Sequence, residues 1–358
     1  MFVAWRDLRF AKGRFALMGT VIMMITVLVG LLSGLTAGLG RENTSAITGL
    51  PADHLAFSAD GRGISFTDSR IDRGTWTKWA RVPGVTSARP LGIAMTKAQA
   101  GSATAALSAF GVQRGSGLGP ASGDLGKGTV IMSTKAADAL KVKAGDALTL
   151  NGHKVTVAAV RGAAMYSHTP VVWTSLDDWQ RLGASPEDGE QATVVALSTT
   201  SAADLPAADR TLNTRTVSSG DAVRAIGSFT AENGSLQLMR GFLFAISALV
   251  IGAFFTVWTI QRSGDVAVLK ALGASTGYLL RDALGQALIL LVLGTGTGAL
   301  IAACLGAAVS GGAIPFVLDA GTVLVPMAVM IALGALGAAL SVRRITSVDP
   351  LTALGSAR

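Results

Sequence analysis

The stretch "GDVAVLKALGAS", residues 264–275, lies between two long apolar segments and carries an aspartate and a lysine. Its aliphatic residues recur at helical spacing, and the glycine that follows them suits the end of a helix. A short helix with an aliphatic face and a few charges is suited to docking into a partner's groove. A helical connector that only returns the chain to the membrane would show the same spacing. The candidate docking residues are Asp265, Val266, Leu269, Lys270, Leu272 and Gly273.

The apolar segments around this stretch are long enough to cross a bilayer. A hydrocarbon core of about 30 Å requires about 20 apolar residues in a helix, and half of the chain is hydrophobic while only 15% is charged. The segment after the stretch is too long for one span, and Pro315 with the glycines before it predicts that its helix ends near Val309. The sequence therefore predicts four transmembrane helices, at 15–40, 239–260, 283–310 and 320–342.

Basic residues predict the orientation of these spans. They precede the first span, follow the last in a tail at 343–358, and occur in the loop at 261–282. The positive-inside rule places both termini and this loop in the cytoplasm, and it places residues 43–238 outside the cell membrane. The net charge of +8 belongs mostly to these flanking segments, so it does not require a nucleic-acid partner.

The first 14 residues, "MFVAWRDLRFAKGR", alternate apolar and basic residues at helical spacing. This pattern predicts an amphipathic helix at 1–14 on the inner leaflet of the bilayer, although a basic tail that only fixes the topology would also contain it. The first apolar segment is much longer than the 7–15 residues of a signal-peptide core. We therefore interpret it as a span and not as a cleaved leader.

Residues 43–238 are numerous enough for a domain with its own core. "TVIMS" at 129–133 predicts a strand and "KAADALKV" at 135–142 a short helix. Asn151-Gly152, between alternating apolar residues, predicts a hairpin turn. "TPVVWTSLDDWQRL" at 169–182 predicts a strand that leads into a helix capped by Ser175. The predicted fold class is a polytopic α-helical membrane protein of one plus three spans, with an α+β extracytoplasmic domain inserted between the first and second.

The residue pattern excludes several kinds of chemistry. "SGDLGKGT" at 122–129 has no Ser or Thr after its lysine and lacks the first glycine of a phosphate-binding loop, so the chain has no nucleotide site of its own. Cys304 is the sole cysteine and lies in an apolar run, so no disulfide within the chain can hold it together. The sequence shows no catalytic triad, no metal-ligand spacing and no cofactor motif.

The loop motif resembles a signature of the permease subunits of MacB/FtsX-type ABC exporters. That signature has the form R-x-x-[EI]-x-x-L-[RK]-A-[LI]-G-A-[ST], and "QRSGDVAVLKALGAS" resembles it, with Asp265 where that family usually has Glu. "VRRITSVDPLTALGS" at 342–356 and "LKVKAGDALTL" at 140–150 are also similar to that family. The residues that match the end of the signature are Leu269, Lys270, Ala271, Leu272, Gly273, Ala274 and Ser275, and Arg262 matches its first position with one additional residue in between.

The resemblance implies the partners and the mechanism. It implies a homodimer of permeases with two copies of a separate ATPase that binds ATP and Mg²⁺, with the short loop as the coupling helix. Movement of the helices would then move the outer domain mechanically. Gly30, Gly34 and Gly38 form two consecutive GxxxG steps that suit a dimer face, and Gly294 and Gly298 form another step. A glycine-rich composition would also produce such spacing by chance.

The N-terminal sequence is most similar to the haem-exporter permeases of this family, which implies haem as a substrate. A haem site needs an axial ligand and cations for the propionates. Arg41 and Glu42 at the end of the first span, with Met239 and Arg240 at the start of the second, are the candidates. Ordinary anchoring of arginines at the membrane surface would explain these positions equally well.

Two functions remain compatible with the sequence. One is efflux of a hydrophobic, membrane-partitioned substrate. Haem is the leading candidate for this substrate, and a peptide antibiotic or a lipid is the alternative. The other is transmission of force to a partner outside the membrane, as the resemblance to FtsX implies. A device of the second kind should expose an apolar patch on its outer domain.

Overall fold

The structure is a computed structural model that describes residues 12–60, 63–183, 190–309 and 314–346. The chain divides into two compact units, which we name the membrane unit (Met1–Gly38 with Ser235–Arg358) and the inserted domain (Leu39–Gly234). Most of the predicted helix at 1–14 and of the tail at 343–358 lies outside the described residues.

Nine α-helices occur in the described part of the chain. Those of the inserted domain are short, whereas four others are long and apolar enough to cross a membrane. The predicted number of spans and the fold class are confirmed. The helices are α1 Lys12–Thr48, α2 Arg73–Trp79, α3 Thr134–Leu140, α4 Leu176–Gly183, α5 Leu205–Leu212, α6 Gly227–Gln261, α7 Ser263–Ala271, α8 Thr276–Val309 and α9 Ala320–Thr346.

The long helices differ in length from the apolar runs that predict them. α8 is helical up to Val309, the last described residue before the gap at 310–313, so the predicted end near Val309 stays a prediction. α1 continues to Thr48 and α6 begins at Gly227, so both include polar turns beyond the predicted spans. Hydropathy marks the part of a helix that suits hydrocarbon, whereas the backbone hydrogen bonds that define a helix also form in polar sequence.

The inserted domain is built on one large sheet. Its strands follow the order β12-β1-β11-β3-β4-β9-β5-β7-β6, and β8 pairs with β9. β6 also pairs with β3 at Leu150 and Ala98, so part of the sheet closes on itself. The strands are β1 His54–Ser58, β2 Ile71–Asp72, β3 Val85–Ala100, β4 Ala103–Val112, β5 Thr129–Met132, β6 Ala147–Leu150, β7 His153–Val160, β8 Met165–Tyr166, β9 Thr169–Ser175, β10 Gln191–Ala192, β11 Val194–Thr199 and β12 Thr214–Ser218.

Two apolar clusters form the core of this domain. One joins the sheet to α2, α3 and α4 and contains Trp79. The other contains Phe57 and Phe110, and it includes Ile47 from the last turns of α1. Burial of these large side chains is the main favourable term for folding of the domain.

The local predictions for the domain are confirmed. β6 and β7 form the predicted hairpin, with Asn151 and Gly152 both at positive φ (44° and 84°). Such angles belong to the two-residue turns that favour Asn-Gly. Ser175 caps α4, since its Oγ accepts a hydrogen bond of 3.1 Å from the Asp178 N–H.

The membrane unit is held together by close helix contacts at glycines. A Cβ added to Gly298 of α8 would lie 2.6 Å from the Met23 carbonyl oxygen and 2.7 Å from Cβ of Thr26, both on α1. Gly294, one step earlier, faces Ile22. The GxxxG step of α8 therefore brings α8 and α1 into backbone contact, as small residues do in membranes.

The glycines of the predicted dimer face on α1 are covered by other parts of the same chain. Gly34 and Gly38 pack against Phe316 and Pro315 of the same chain, and a Cβ at Gly30 would lie 2.9 Å from that of Ala302. The Val317 N–H also donates a hydrogen bond of 3.1 Å to the Gly34 carbonyl oxygen. Because this chain fills the glycine face itself, a second copy would have to displace the segment around Phe316 to reach it.

Candidate functional site

The short helix α7 connects two membrane-spanning helices and has defined ends. Arg262 precedes it as the N-cap residue. At the other end Gly273 has a φ of 91°, which favours glycine. The Ala274 N–H donates a hydrogen bond of 3.0 Å to the Leu269 carbonyl oxygen and so closes the last turn. α7 is therefore a helix delimited by its own sequence.

An apolar face of α7 is exposed. Leu272 is 80% exposed, Val268 55% and Leu269 37%. Val266 and Lys270 are half-buried, and the side chain of Asp265 lies outside the described residues. Of the predicted docking residues, Leu269 and Leu272 are exposed, and the docking role stays a prediction. Val268, which the prediction did not include, is also exposed. This face suits an apolar groove of a partner.

The base of α7 is anchored by Arg262. Its Nη1 donates a hydrogen bond of 2.6 Å to Oε1 of Gln286 on α8. Its guanidinium carbon lies 5.2 Å from the centroid of the Trp258 ring on α6, within cation–π range. Nε2 of Gln286 in turn donates a hydrogen bond of 2.9 Å to Oδ2 of Asp282. The exposed face thus projects from a base that is bonded to both neighbouring helices.

The predicted substrate residues fall in different units. Arg41 and Glu42 belong to the inserted domain, where Arg41 is exposed and Glu42 half-buried. Met239 and Arg240 belong to the membrane unit. Met239 is 50% exposed, and the guanidinium carbon of Arg240 lies 5.7 Å from the Phe244 ring centroid. Each pair remains a candidate by its chemistry.

Glu42 is part of a polar cluster that the sequence analysis missed. Oε1 of Glu42 lies 2.5 Å from Nζ of Lys135, and its other oxygen lies 4.0 Å from Nδ1 of His168. Nε2 of His168 lies 2.8 Å from a Glu232 carboxylate oxygen and 3.0 Å from Nδ2 of Asn43. The imidazole of His168 therefore lies between the carboxylates of Glu42 and Glu232. These residues are far apart in sequence, so no local signal marks the cluster.

The turn that presents His168 is strained. Ser167 and His168 have φ values of 49° and 61°, in the left-handed region that favours glycine. Each such residue costs about 1–3 kcal/mol and persists where the surroundings hold it. Oγ of Ser167 lies 2.8 Å from Oγ of Ser228, which contributes to holding the turn. Burial raises the pKa of the preceding Tyr166 above its usual range, so its phenol stays neutral.

No group of three or more potential metal ligands occurs among the residues that the structure describes. The described part of the inserted domain exposes one large apolar side chain, that of Met95. The sites that the geometry defines are therefore the exposed face of α7 and the polar cluster around Glu42.

Fold and site together define a class: a multi-pass membrane protein with an α+β domain between its first two spans and an exposed short helix between the second and third. Residues 238–350 match the family described as FtsX-like permease C-terminal. Residues 18–215, more than half of the chain, match the family described as MacB-like periplasmic core domain. The chain belongs to the MacB/FtsX-type permeases of ABC transporters.

Several known proteins are similar to this chain over its whole length. A Staphylococcus haemolyticus protein named "Putative hemin transport system permease protein HrtB" is 26% identical, and the match covers 99% of each chain. A Mycobacterium bovis protein named as an uncharacterized ABC transporter permease is 24% identical over 99% of each chain. Among solved structures, the periplasmic region of MacB from Actinobacillus actinomycetemcomitans matches 52% of this chain and 97% of its own, at 12% identity and a TM-score of 0.35.

Proposed function

We propose that this chain is the permease subunit of an ABC efflux transporter and that a separate ATPase drives it. The exposed apolar face of α7, anchored between two spans, is the observation that carries the proposal. In this function α7 docks into a groove of the ATPase, and the ATPase supplies the bound ATP and Mg²⁺. The permease family of the chain supports such a partner.

The assembly and its orientation belong to the same proposal. Both termini and α7 lie in the cytoplasm, in agreement with the basic residues that flank the spans. Two copies of the chain assemble with two ATPase subunits. Since the glycine face of α1 is filled from within the chain, the contact between copies uses other surfaces of the membrane unit.

The proposed substrate is hydrophobic and enters from the membrane, and haem is its leading candidate. The names of the staphylococcal relatives support haem, at modest identity over the full chain. In each candidate pair the arginine, Arg41 of the inserted domain or Arg240 of the membrane unit, supplies a cation for a propionate. Glu42 and Met239 supply the side-chain types that can ligate haem iron.

Transmission of force to an outer partner is the alternative function. It calls for an apolar patch on the inserted domain, and within the described residues of that domain Met95 is the one large apolar side chain that is exposed. An isolated methionine is a normal surface feature. This observation favours efflux over the alternative.

Substitution of the exposed leucines of α7 tests the ATPase partnership. Leu269→Ser and Leu272→Ser should each reduce the amount of ATPase that co-purifies with the tagged chain at least about tenfold, as loss of an apolar anchor does at an interface. The thermal stability of the purified chain should not change, because both side chains are exposed. Gly264→Ser places the same side chain at an exposed position of α7 outside the residues that match the signature and is the control. Equal ATPase retention in all variants would refute the docking role of α7.

An absorbance titration with haemin tests the substrate. The detergent-purified wild type should show a saturable Soret shift, and Glu42→Ala and Met239→Ala should weaken or alter it. Glu190→Ala and Met95→Ala remove the same side-chain types from other places and should leave the shift unchanged. A spectrum that does not saturate in the wild type would exclude haem and would leave the ATPase partnership standing.

A further inference from the structure

Arg262 occupies the junction of two helices. Its N–H donates hydrogen bonds of 3.2 Å to the carbonyl oxygens of Trp258 and Thr259, the last turn of α6. Its own carbonyl oxygen accepts a hydrogen bond of 2.9 Å from the Val266 N–H in α7. The backbone of Arg262 therefore links α6 to α7 without a flexible loop between them.

The side chain of Arg262 adds a link to a third helix. Gln286 is 1% exposed and lies within α8 among apolar neighbours, where an amide requires hydrogen-bond partners. Its carbonyl oxygen accepts from Arg262, and its amino group donates to Asp282. Oδ1 of Asp282 is buried without a hydrogen-bond partner among the described residues. The arrangement orients the Gln286 amide towards the guanidinium.

Trp258 extends this junction to α1. Its ring lies under the guanidinium of Arg262, with its centroid 6.3 Å from that of Phe15 and 6.2 Å from that of Phe255. Edge-to-face contacts of this kind hold rings at fixed angles. A displacement of α7 that carried Arg262 along would therefore pull on Gln286 of α8 and press on Trp258 of α6.

We infer that Arg262 is a positioning residue that fixes α7 to α8 through Gln286, so that the two helices move as one body. This inference rests on the proposed function and adds to it the residues through which motion at α7 reaches the spans. Separation of α7 from α8 would leave a buried amide without its charged partner, which disfavours independent motion. Leu269 and Leu272 contact the ATPase, whereas Arg262 and Gln286 pass its movement on.

Amide hydrogen exchange on the full chain in lipid nanodiscs tests the link. Arg262→Met and Gln286→Met remove the hydrogen bond while they keep most of the side-chain volume. Each should speed exchange in α7 about tenfold or more, and the double variant should add less than the sum of the single effects, because the hydrogen bond between Arg262 and Gln286 is lost in both. Arg262→Lys keeps the charge without the planar fork and should give an intermediate rate.

Thr295→Val is the control: it removes a buried hydrogen bond to the carbonyl oxygen of Leu291 within α8 and should leave the exchange rate of α7 unchanged. Unchanged exchange in Arg262→Met, or additive single effects, would overturn the inference.

A second measurement separates this inference from the proposed function. In the complex with its co-purified ATPase, ATP with vanadate should change the exchange of α8 in the wild type. Gln286→Met should retain the ATPase and lose this response. A retained response would overturn the role of Gln286. A wild type that retains no ATPase would refute the proposed function, while the exchange of α7 in the isolated chain would still decide whether Arg262 fixes α7 to α8.

Discussion

Whether a glycine of the first span can be replaced by a larger residue depends on what lies against it. At Gly38 the helix backbone meets the carbonyl oxygen of Pro315, which cannot move away as a flexible side chain could. Gly40, two residues later in the same helix, faces open space. The two glycines have a similar sequence context, but Gly38 is packed against backbone atoms and Gly40 is not.

Gly38→Ala should therefore destabilise the protein by about 1–3 kcal/mol, the usual cost of overpacking. Gly40→Ala should be neutral or stabilise it by about 0.5–1 kcal/mol, since alanine favours helix more than glycine does. Thermal unfolding of the purified chain in detergent measures both. Equal effects of the two substitutions would show that Pro315 does not lie against α1.

Asp72 caps α2 through hydrogen bonds that its carboxylate accepts from the Thr75 N–H (2.9 Å) and hydroxyl (3.0 Å). Burial, the largest single effect, would raise the pKa of this carboxyl, but the hydrogen bonds from Thr75 and from the backbone of Gly74 and Asp72 together outweigh it, and the pKa lies below the usual value of 3.8. A lowered folded-state pKa means that the charged form stabilises the fold above about pH 4 and that this contribution disappears as the pH falls through the lowered pKa.

Asp72→Ala should destabilise the inserted domain by about 1 kcal/mol near neutral pH through loss of the cap. Asp72→Asn should keep the cap, and as the pH falls below about 4 it should lose less stability than the wild type does, because asparagine does not titrate. Urea unfolding followed by tryptophan fluorescence measures this directly, since Trp76 and Trp79 lie in α2. If Asp72→Asn and the wild type lose the same stability on acidification, that loss comes from other carboxylates.

At the scale of single elements, prediction succeeded where the signal was local. The Asn151-Gly152 turn and the Ser175 cap each depend on a few adjacent residues, and the structure contains both. The closure of the sheet by β3 and β6 depends on pairing between residues far apart in sequence. Alternation of apolar residues indicates a strand but not which strand pairs with it, so this closure was not predictable.

The same limit applies to contacts between elements. GxxxG spacing predicts a face of α1 for a second copy, and it does not indicate which part of the same chain packs there. In the structure Phe316 and its neighbours, which precede α9, lie against these glycines. The cluster of Glu42, Lys135 and His168 also requires the folded domain, because its members come from three separate elements.

At the scale of the whole molecule, the two compact units each have their own core. The core of the membrane unit lies among spanning helices, which detergent stabilises and urea disrupts poorly. The core of the inserted domain depends on burial from water, which urea weakens. The units should therefore respond differently to the same denaturant.

Urea should unfold the inserted domain in a transition that leaves the membrane unit folded. Four tryptophans of the inserted domain (Trp76, Trp79, Trp173 and Trp179) report on it, whereas Trp258 reports on the membrane unit. Trp258→Phe should leave the transition measured by fluorescence at the same urea midpoint, and helicity measured by circular dichroism should stay largely intact through it. A single transition with complete loss of helicity would contradict this independence.

The ring of Phe316 lies between two glycines, Gly34 on α1 and Gly306 on α8, and a Cβ on either would overlap it. Three positions from separate parts of the chain therefore share one volume. Among natural relatives with this packing, residues larger than glycine at position 34 or 306 should occur together with residues smaller than phenylalanine at position 316. The contact should thus appear in evolution as correlated substitution, with a change at one position tolerated once another has made room.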